Sequence, residues 1–113
     1  MKCPKCTTET FASFAVREVT VERCTVCGGI WFDEWELSQL LKESPQLLTS
    51  LRGGGQREDL DAKRGHCPRD ATPLLRIFST IARSVVVDTC LQCRGIWLDA
   101  GEFEKLLSAR DEG

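Results

Sequence analysis

Alternating apolar and polar positions occur at two matching places in this chain. Val19 and Val21 alternate with polar neighbours, and Val85 and Val87 hold the corresponding places in the second half. Such alternation is typical of a half-buried β-strand. The apolar stretches just upstream suit the hairpin partners of these strands. The predicted partner strands are residues 11–16 and 74–78.

A helical pattern follows each predicted hairpin. Asp33 and Glu36, like Asp99 and Glu102, have the spacing of an N-terminal cap and a glutamate that reaches back to the amide of the cap. Apolar residues then recur at the spacing of one helix face, so each half predicts strands followed by a short helix. These apolar stripes are Leu37, Leu40 and Leu41 in the first half, and Phe103, Leu106 and Leu107 in the second.

The two halves repeat one another in sequence as well as in pattern. The stretch "CTVCGGIWFDEWELSQLL" at 24–41 recurs as "CLQCRGIWLDAGEFEKLL" at 90–107. Further upstream, "KCPKCTTET" at 2–10 matches "HCPRDATPL" at 66–74. The chain is therefore expected to contain two copies of one small unit.

The repeat divides the chain into two units and a connector. The units are expected at 1–43 and 66–109, with the connector at 44–65. A Ser-Pro pair at the start of the connector predicts a helical turn over 46–51, and three glycines at 53–55 predict a flexible hinge. This pattern leaves open whether the units form one compact pair or move independently.

Composition explains how units of this size could fold. The chain has 113 residues and seven cysteines, so each unit has about 40 ordered residues, a size that usually needs a metal or disulfides. No apolar run approaches the roughly 18 residues of a membrane span, and Met1 is not followed by a signal peptide. We therefore expect a cytoplasmic protein without a membrane partner, whose thiols bind metal in a reducing compartment.

The first unit carries a complete set of zinc ligands. Cys3 and Cys6 form one CxxC pair, and Cys24 and Cys27 form a second. Two such turns offer four thiolates, which is the soft tetrahedral shell that Zn²⁺ prefers, and a closed shell favours a structural role. A redox pair or inert buried thiols are the alternatives.

The second unit departs from this pattern at one ligand. Cys67, Cys90 and Cys93 keep three positions, and Asp70 stands where the first unit has its second cysteine. A carboxylate is an accepted zinc ligand, so Asp70 is the favoured fourth ligand. His66, a water molecule or an empty position are the alternatives, and Asp70 would also suit a plain turn.

The residues quoted above resemble the TFIIB-type zinc-ribbon family of transcription factor zinc-finger domains. The resemblance covers 2–41 and 66–107, and it includes the GIW(F/L)D motif and the trailing Leu-Leu beyond the paired cysteines. It implies a small, metal-stabilised α+β fold of two tandem zinc ribbons, each with β-hairpins followed by a short C-terminal helix, and two Zn²⁺ ions. Asp70, Arg94 and Trp35 depart from the family pattern or from the repeat. The metal ligands that the resemblance implies are Cys3, Cys6, Cys24, Cys27, Cys67, Cys90 and Cys93.

Function is less constrained than fold. One histidine, no tyrosine and no paired catalytic groups indicate a protein that is not an enzyme. The favoured hypothesis is an adaptor that binds a protein partner and regulates it, with a link to transcription implied only by the family name. The alternative is a nucleic-acid-binding factor, because six basic and two acidic residues lie within 63–94 of the second ribbon. A zinc or redox sensor at the three-thiolate site is the second alternative.

The three tryptophans receive separate predictions. Trp31 and Trp97 hold equivalent positions and are expected to pack each ribbon onto its own helix. Trp35 has no counterpart, since the second unit has Gly101 there. It is expected either to join the two units or to be an exposed anchor for a partner.

Overall fold

The computed structural model describes residues 1–43, 45–51, 63–78 and 85–112. The predicted hairpins and helices are confirmed, whereas the glycine hinge at 53–55 lies outside the described residues. Within the described ranges, no helix has the length and apolar character needed to cross a membrane. The elements are β1 (Phe11–Val16), β2 (Val19–Cys24), β3 (Ile30–Phe32), α1 (Glu36–Leu40), a 3-10 helix (Pro45–Leu51), β4 (Leu75–Phe78), β5 (Val86–Thr89), β6 (Ile96–Leu98) and α2 (Glu102–Glu112).

Both units contribute to one antiparallel sheet with the strand order β1-β2-β3-β6-β5-β4. The two central strands, β3 and β6, come from different units and pair so that Trp31 lies opposite Trp97. Because equivalent residues face each other, the units are related by an approximate twofold axis between these tryptophans. The copies therefore form one compact pair, through two short strands that the apolar pattern had not predicted.

One hydrophobic core lies on a single face of this sheet and is shared by both copies. The ring of Phe32 on β3 stacks on the ring of Phe103 on α2, with centroids 5.9 Å apart. This contact packs a strand of the first copy against the helix of the second. Each unit therefore gains a larger core than its own residues could provide. The core includes Val21, Phe32, Leu40, Leu48, Leu51, Val87, Leu98, Phe103 and Leu106.

A second, smaller cluster holds the tryptophans and corrects a prediction. Trp31 and Trp97 do not pack onto the helices but lie among the cysteines, in a cluster separate from the main core. Each indole covers a glycine of the other copy, Trp97 over Gly29 and Trp31 over Gly95, so closely that a β-carbon on either glycine would overlap the ring. The reason is the β3–β6 pairing, which carries each ring across the twofold axis.

The glutamate contact of the predicted capping interaction is present at both helix starts. Glu36 Oε1 accepts the amide of Asp33 at 2.7 Å, and Glu102 Oε1 accepts that of Asp99 at 2.8 Å, as predicted. At the start of α1 no side chain caps the helix, and both aspartates bind a tryptophan. Their carboxylates accept the indole N–H groups of Trp31 and Trp97, both at 2.9 Å, because a buried indole N–H needs a partner.

Ion pairs cross between the copies in both directions. Lys5 Nζ of the first copy lies 3.1 Å from Asp88 Oδ2 and 3.2 Å from Asp99 Oδ2 of the second, with the lysine side chain fully buried. Arg69 makes the reciprocal contact, donating from two nitrogens to Asp33 of the first copy. Burial raises the pKa of Asp99, and the charge of Lys5 opposes that rise.

The contacts of Lys5 and Arg69 are equivalent in the two copies but differ in burial. Replacing each cation therefore tests how much burial contributes to stability. We expect Lys5→Met to lower the free energy of unfolding by about 3 kcal/mol, because Asp99 stays buried without its cation. We expect Arg69→Met to cost less than about 1 kcal/mol, because both partners are nearly half exposed. Urea unfolding of the zinc-loaded variants would measure both. Equal losses would contradict the assignment of Lys5 as the buried link.

Candidate metal centres

The same backbone turn occurs four times and presents all the candidate metal ligands. In each turn, the amide of the fourth residue after the first cysteine donates to the carbonyl of that cysteine, at 2.8–3.0 Å. That fourth residue has a positive φ in every case, even where it is not glycine. The repeated geometry aims two ligand side chains of each turn at one point. The four residues are Thr7, Gly28, Ala71 and Arg94, with φ of 61, 78, 65 and 64°.

The first set of ligands has the spacing of a tetrahedral zinc site. Cys3 Sγ and Cys27 Sγ are 3.6 Å apart, and Cys6 Sγ and Cys24 Sγ are 3.4 Å apart. All four sulfurs lie within 4.8 Å of one another. Four sulfurs bound at about 2.3 Å to one ion are about 3.8 Å apart, whereas a disulfide requires about 2.05 Å. These four cysteines therefore fit one Zn²⁺ ion and are not disulfide-bonded.

Hydrogen bonds within the turn prepare these sulfurs for metal binding. The amide of Cys6 approaches Cys3 Sγ at 3.4 Å, and Thr8 Oγ1 lies 3.1 Å from Cys6 Sγ. Burial raises the pKa of Cys6, but hydrogen bonds with Thr8, Cys3 and Cys24 together outweigh it, and the net pKa falls to about 6. The hydrogen bond with Cys27 and burial raise the pKa of Cys3. Because zinc binds thiolates, loading this set releases protons and weakens as the pH falls.

The second set brings Asp70 together with three thiolates. Cys67 Sγ and Cys93 Sγ are 3.6 Å apart, and both carboxylate oxygens of Asp70 lie 3.6 Å from Cys90 Sγ. A sulfur at about 2.3 Å and an oxygen at about 2.1 Å from one tetrahedral ion are about 3.6 Å apart. This set therefore also fits Zn²⁺. His66 is not among these residues, and its backbone bridges to Pro73 instead.

Asp70 is the exposed member of its set, whereas its cysteine partners are buried or half-buried. The amide of Thr72 donates to Asp70 Oδ1 at 3.0 Å, and this hydrogen bond is the main cause of a lowered pKa of Asp70. The turn thus holds a charged carboxylate at the position of Cys6 in the first copy. Because this oxygen ligand is hard and exposed, we expect the second zinc site to be weaker and more accessible to water than the first.

Two basic residues that the sequence did not indicate as functional hold the metal-binding turns in place. Lys5 and Arg69 lie between the ligands of their turns and bind carboxylates of the opposite copy. Each therefore ties one metal-binding turn to the neighbouring ribbon. The repeat held a signal for this, since both positions are basic and their partners, Asp99 and Asp33, are equivalent acids.

Comparison with known proteins gives one match, which occurs twice. A family model described as a transcription factor zinc-finger, the TFIIB-type zinc ribbon, matches residues 2–43 and residues 66–109. The matches cover most of the chain and each includes one ligand set. No curated protein and no solved structure gives a significant match.

The unequal ligand sets predict two zinc ions that leave in order. We expect a metal-sensitive dye with rising chelator to record two release steps, the second ribbon emptying first because of Asp70. Asp70→Cys should merge the steps, and Asp70→Ala should weaken the second site by at least about tenfold. His66→Ala, the control, should change neither step. Loss of the second site in His66→Ala, with no effect of Asp70→Ala, would assign the fourth ligand to the histidine.

Proposed function

The chain belongs to the TFIIB-type zinc-ribbon family, and on that premise we propose a non-enzymatic adaptor that binds a protein partner and acts in regulation. Four protein ligands at each zinc ion leave no position for a substrate, which supports a structural role for both ions. The surface of the paired ribbons, rather than a catalytic centre, then carries the function. The proposal includes a reducing compartment such as the cytoplasm, where seven thiols stay available to metal.

The observation that favours a protein partner is the use of basic residues inside the molecule. Arg69 pairs with Asp33, and Arg76 Nε lies 3.3 Å from Asp88 Oδ1. Part of the basic excess of the second ribbon is therefore neutralised by neighbouring carboxylates. Affinity for nucleic acid comes mainly from cationic groups that neutralise phosphates, and the chain as a whole has a net charge of −2.

Nucleic-acid binding is the second candidate, and three exposed basic residues favour it. Lys63 and Arg64 are adjacent and exposed just before the second ribbon. The Arg94 side chain is 76 % exposed, and its ion pair with Glu34 is long, at 4.0 Å. Arg83, another residue of the predicted basic stretch, lies outside the described residues. So small a group would support weak, salt-sensitive binding.

A binding titration separates the two candidates. With mixed-sequence duplex DNA and single-stranded RNA at physiological salt, we expect no binding tighter than about 10 μM, because few phosphates would be neutralised. Fluorescence anisotropy across a salt series would measure it. Tight, salt-sensitive binding that Lys63→Glu with Arg64→Glu removes, and that the exposed control Lys42→Glu retains, would overturn the adaptor proposal.

The same question can be asked of native partners. Tagged protein would be recovered from its own lysate with and without nuclease. Under the adaptor proposal, the same proteins are recovered in both samples. Proteins that are recovered only when nucleic acid is intact would support the second candidate instead.

A further inference from the structure

We propose that the surface around Trp35 is the partner-docking site and that it binds a lysine or arginine side chain from an extended segment of a protein partner. This inference rests on the proposed adaptor function and adds to it a surface and a chemistry. The site is called the Trp35 surface below. It consists of Arg17, Glu18, Val19, Trp35, Gln39 and Glu43, which line one depression beside the turn between β1 and β2.

The first argument is exposure. The Trp35 side chain is 63 % exposed, whereas Trp31 and Trp97 are almost completely buried. A tryptophan offers a large apolar area, and such side chains are enriched among the residues that dominate protein interfaces. Trp35 therefore contributes little to the core of this chain and has most of its ring available to a partner.

The second argument is the backbone at this position. Trp35 precedes α1 in a left-handed conformation, with φ 73° and ψ −20°. A bulky residue rarely adopts this conformation, but glycine does so without steric strain. The second copy has the same turn with Gly101 at φ 92°, so glycine satisfies the fold here. Burial does not explain why tryptophan stands here instead of glycine, and this agrees with a role for the exposed ring in binding.

The size of the depression limits what it can hold. Its volume is about 180 Å³, below the roughly 300–1,000 Å³ of sites for drug-sized ligands and cofactors. A depression of this size beside an exposed ring suits a single side chain. None of its lining residues is a member of either zinc ligand set, so binding there leaves the metal sites unchanged.

Charge identifies the side chain that fits. The Glu18 carboxylate is exposed at the depression, whereas Glu34, the residue before Trp35, is not part of its lining and lies 4.0 Å from Arg94. Arg17, the cation in the depression, is neutralised by Glu43 at 2.8 Å. An indole face attracts cations, and a carboxylate beside it adds a charge-assisted hydrogen bond. The surface thus complements lysine or arginine and repels a phosphate backbone.

The test uses the zinc-loaded full chain and a fluorescein-labelled tetralysine peptide at low salt, with tetraglutamate as the negative probe. We expect saturable binding of tetralysine and none of tetraglutamate. Trp35→Gly should weaken binding at least fivefold, while zinc content stays at two ions and the unfolding midpoint stays at or above that of the wild type. Loss of binding without loss of stability would identify a docking residue.

Three further variants sharpen the test. Trp35→Phe keeps a smaller aromatic face and should retain part of the affinity. Glu18→Gln should also weaken binding, because it removes the carboxylate beside the ring. Glu9→Gln removes an exposed carboxylate that is not part of the Trp35 surface, and it should bind as the wild type does. Equal binding by wild type and Trp35→Gly would overturn the proposal, as would a Glu9→Gln loss equal to that of Glu18→Gln.

Recovery of native partners distinguishes this inference from the adaptor function on which it rests. If Trp35→Gly recovers the same nuclease-resistant proteins as the wild type, the adaptor function stands and the Trp35 surface is wrong. If the wild type recovers proteins only through nucleic acid, the adaptor function itself fails. Selective loss of nuclease-resistant partners in Trp35→Gly, together with weakened tetralysine binding, supports both.

Discussion

The pairing of β3 with β6 is the contact on which the rest of the molecule depends. It places Trp31 opposite Trp97 and carries each indole over a glycine of the other copy. Only a residue without a β-carbon permits so close an approach, so Gly29 and Gly95 are required by packing rather than by turn geometry. The pairing also continues the sheet from one copy into the other. Two units that are individually too small for a stable core thereby share one.

Ion pairs near this contact connect a metal-binding turn of each copy to the other copy. The first metal-binding turn of each copy carries a cation, Lys5 or Arg69, which contacts the aspartate that accepts the indole N–H of the opposite copy. The aspartates thus connect an aromatic ring of their own ribbon to a turn of the other. Metal binding in one copy is therefore expected to stabilise a turn that also contacts the second copy. This coupling is a property of the pair that neither ribbon has alone.

The local patterns of the sequence predicted the local structure, and the non-local contacts escaped them. The hairpins, the helices and the two ligand sets all depend on spacings within one copy, which the residues display directly. The strands β3 and β6 have three residues each and show no period, and their partners lie sixty-six residues away. Lys5 looks like a solvent-facing turn residue, yet its side chain is fully buried because Asp88 and Asp99 arrive from the other copy. For the same reason, the prediction that Trp31 and Trp97 pack on the helix of their own copy is wrong, because each ring contacts the other copy.

Two copies of one unit also allow a direct comparison of what the fold requires. Where the copies carry different residues on the same backbone, the fold accepts both, so the difference reflects another constraint. Cys6 and Asp70 occupy equivalent turns but give one site of buried and half-buried sulfurs and one with an exposed oxygen ligand. Trp35 and Gly101 share a left-handed backbone, and only glycine is free of strain there. The two departures belong to different copies, so under the proposals made above the weaker metal site and the docking surface lie on different ribbons of one body.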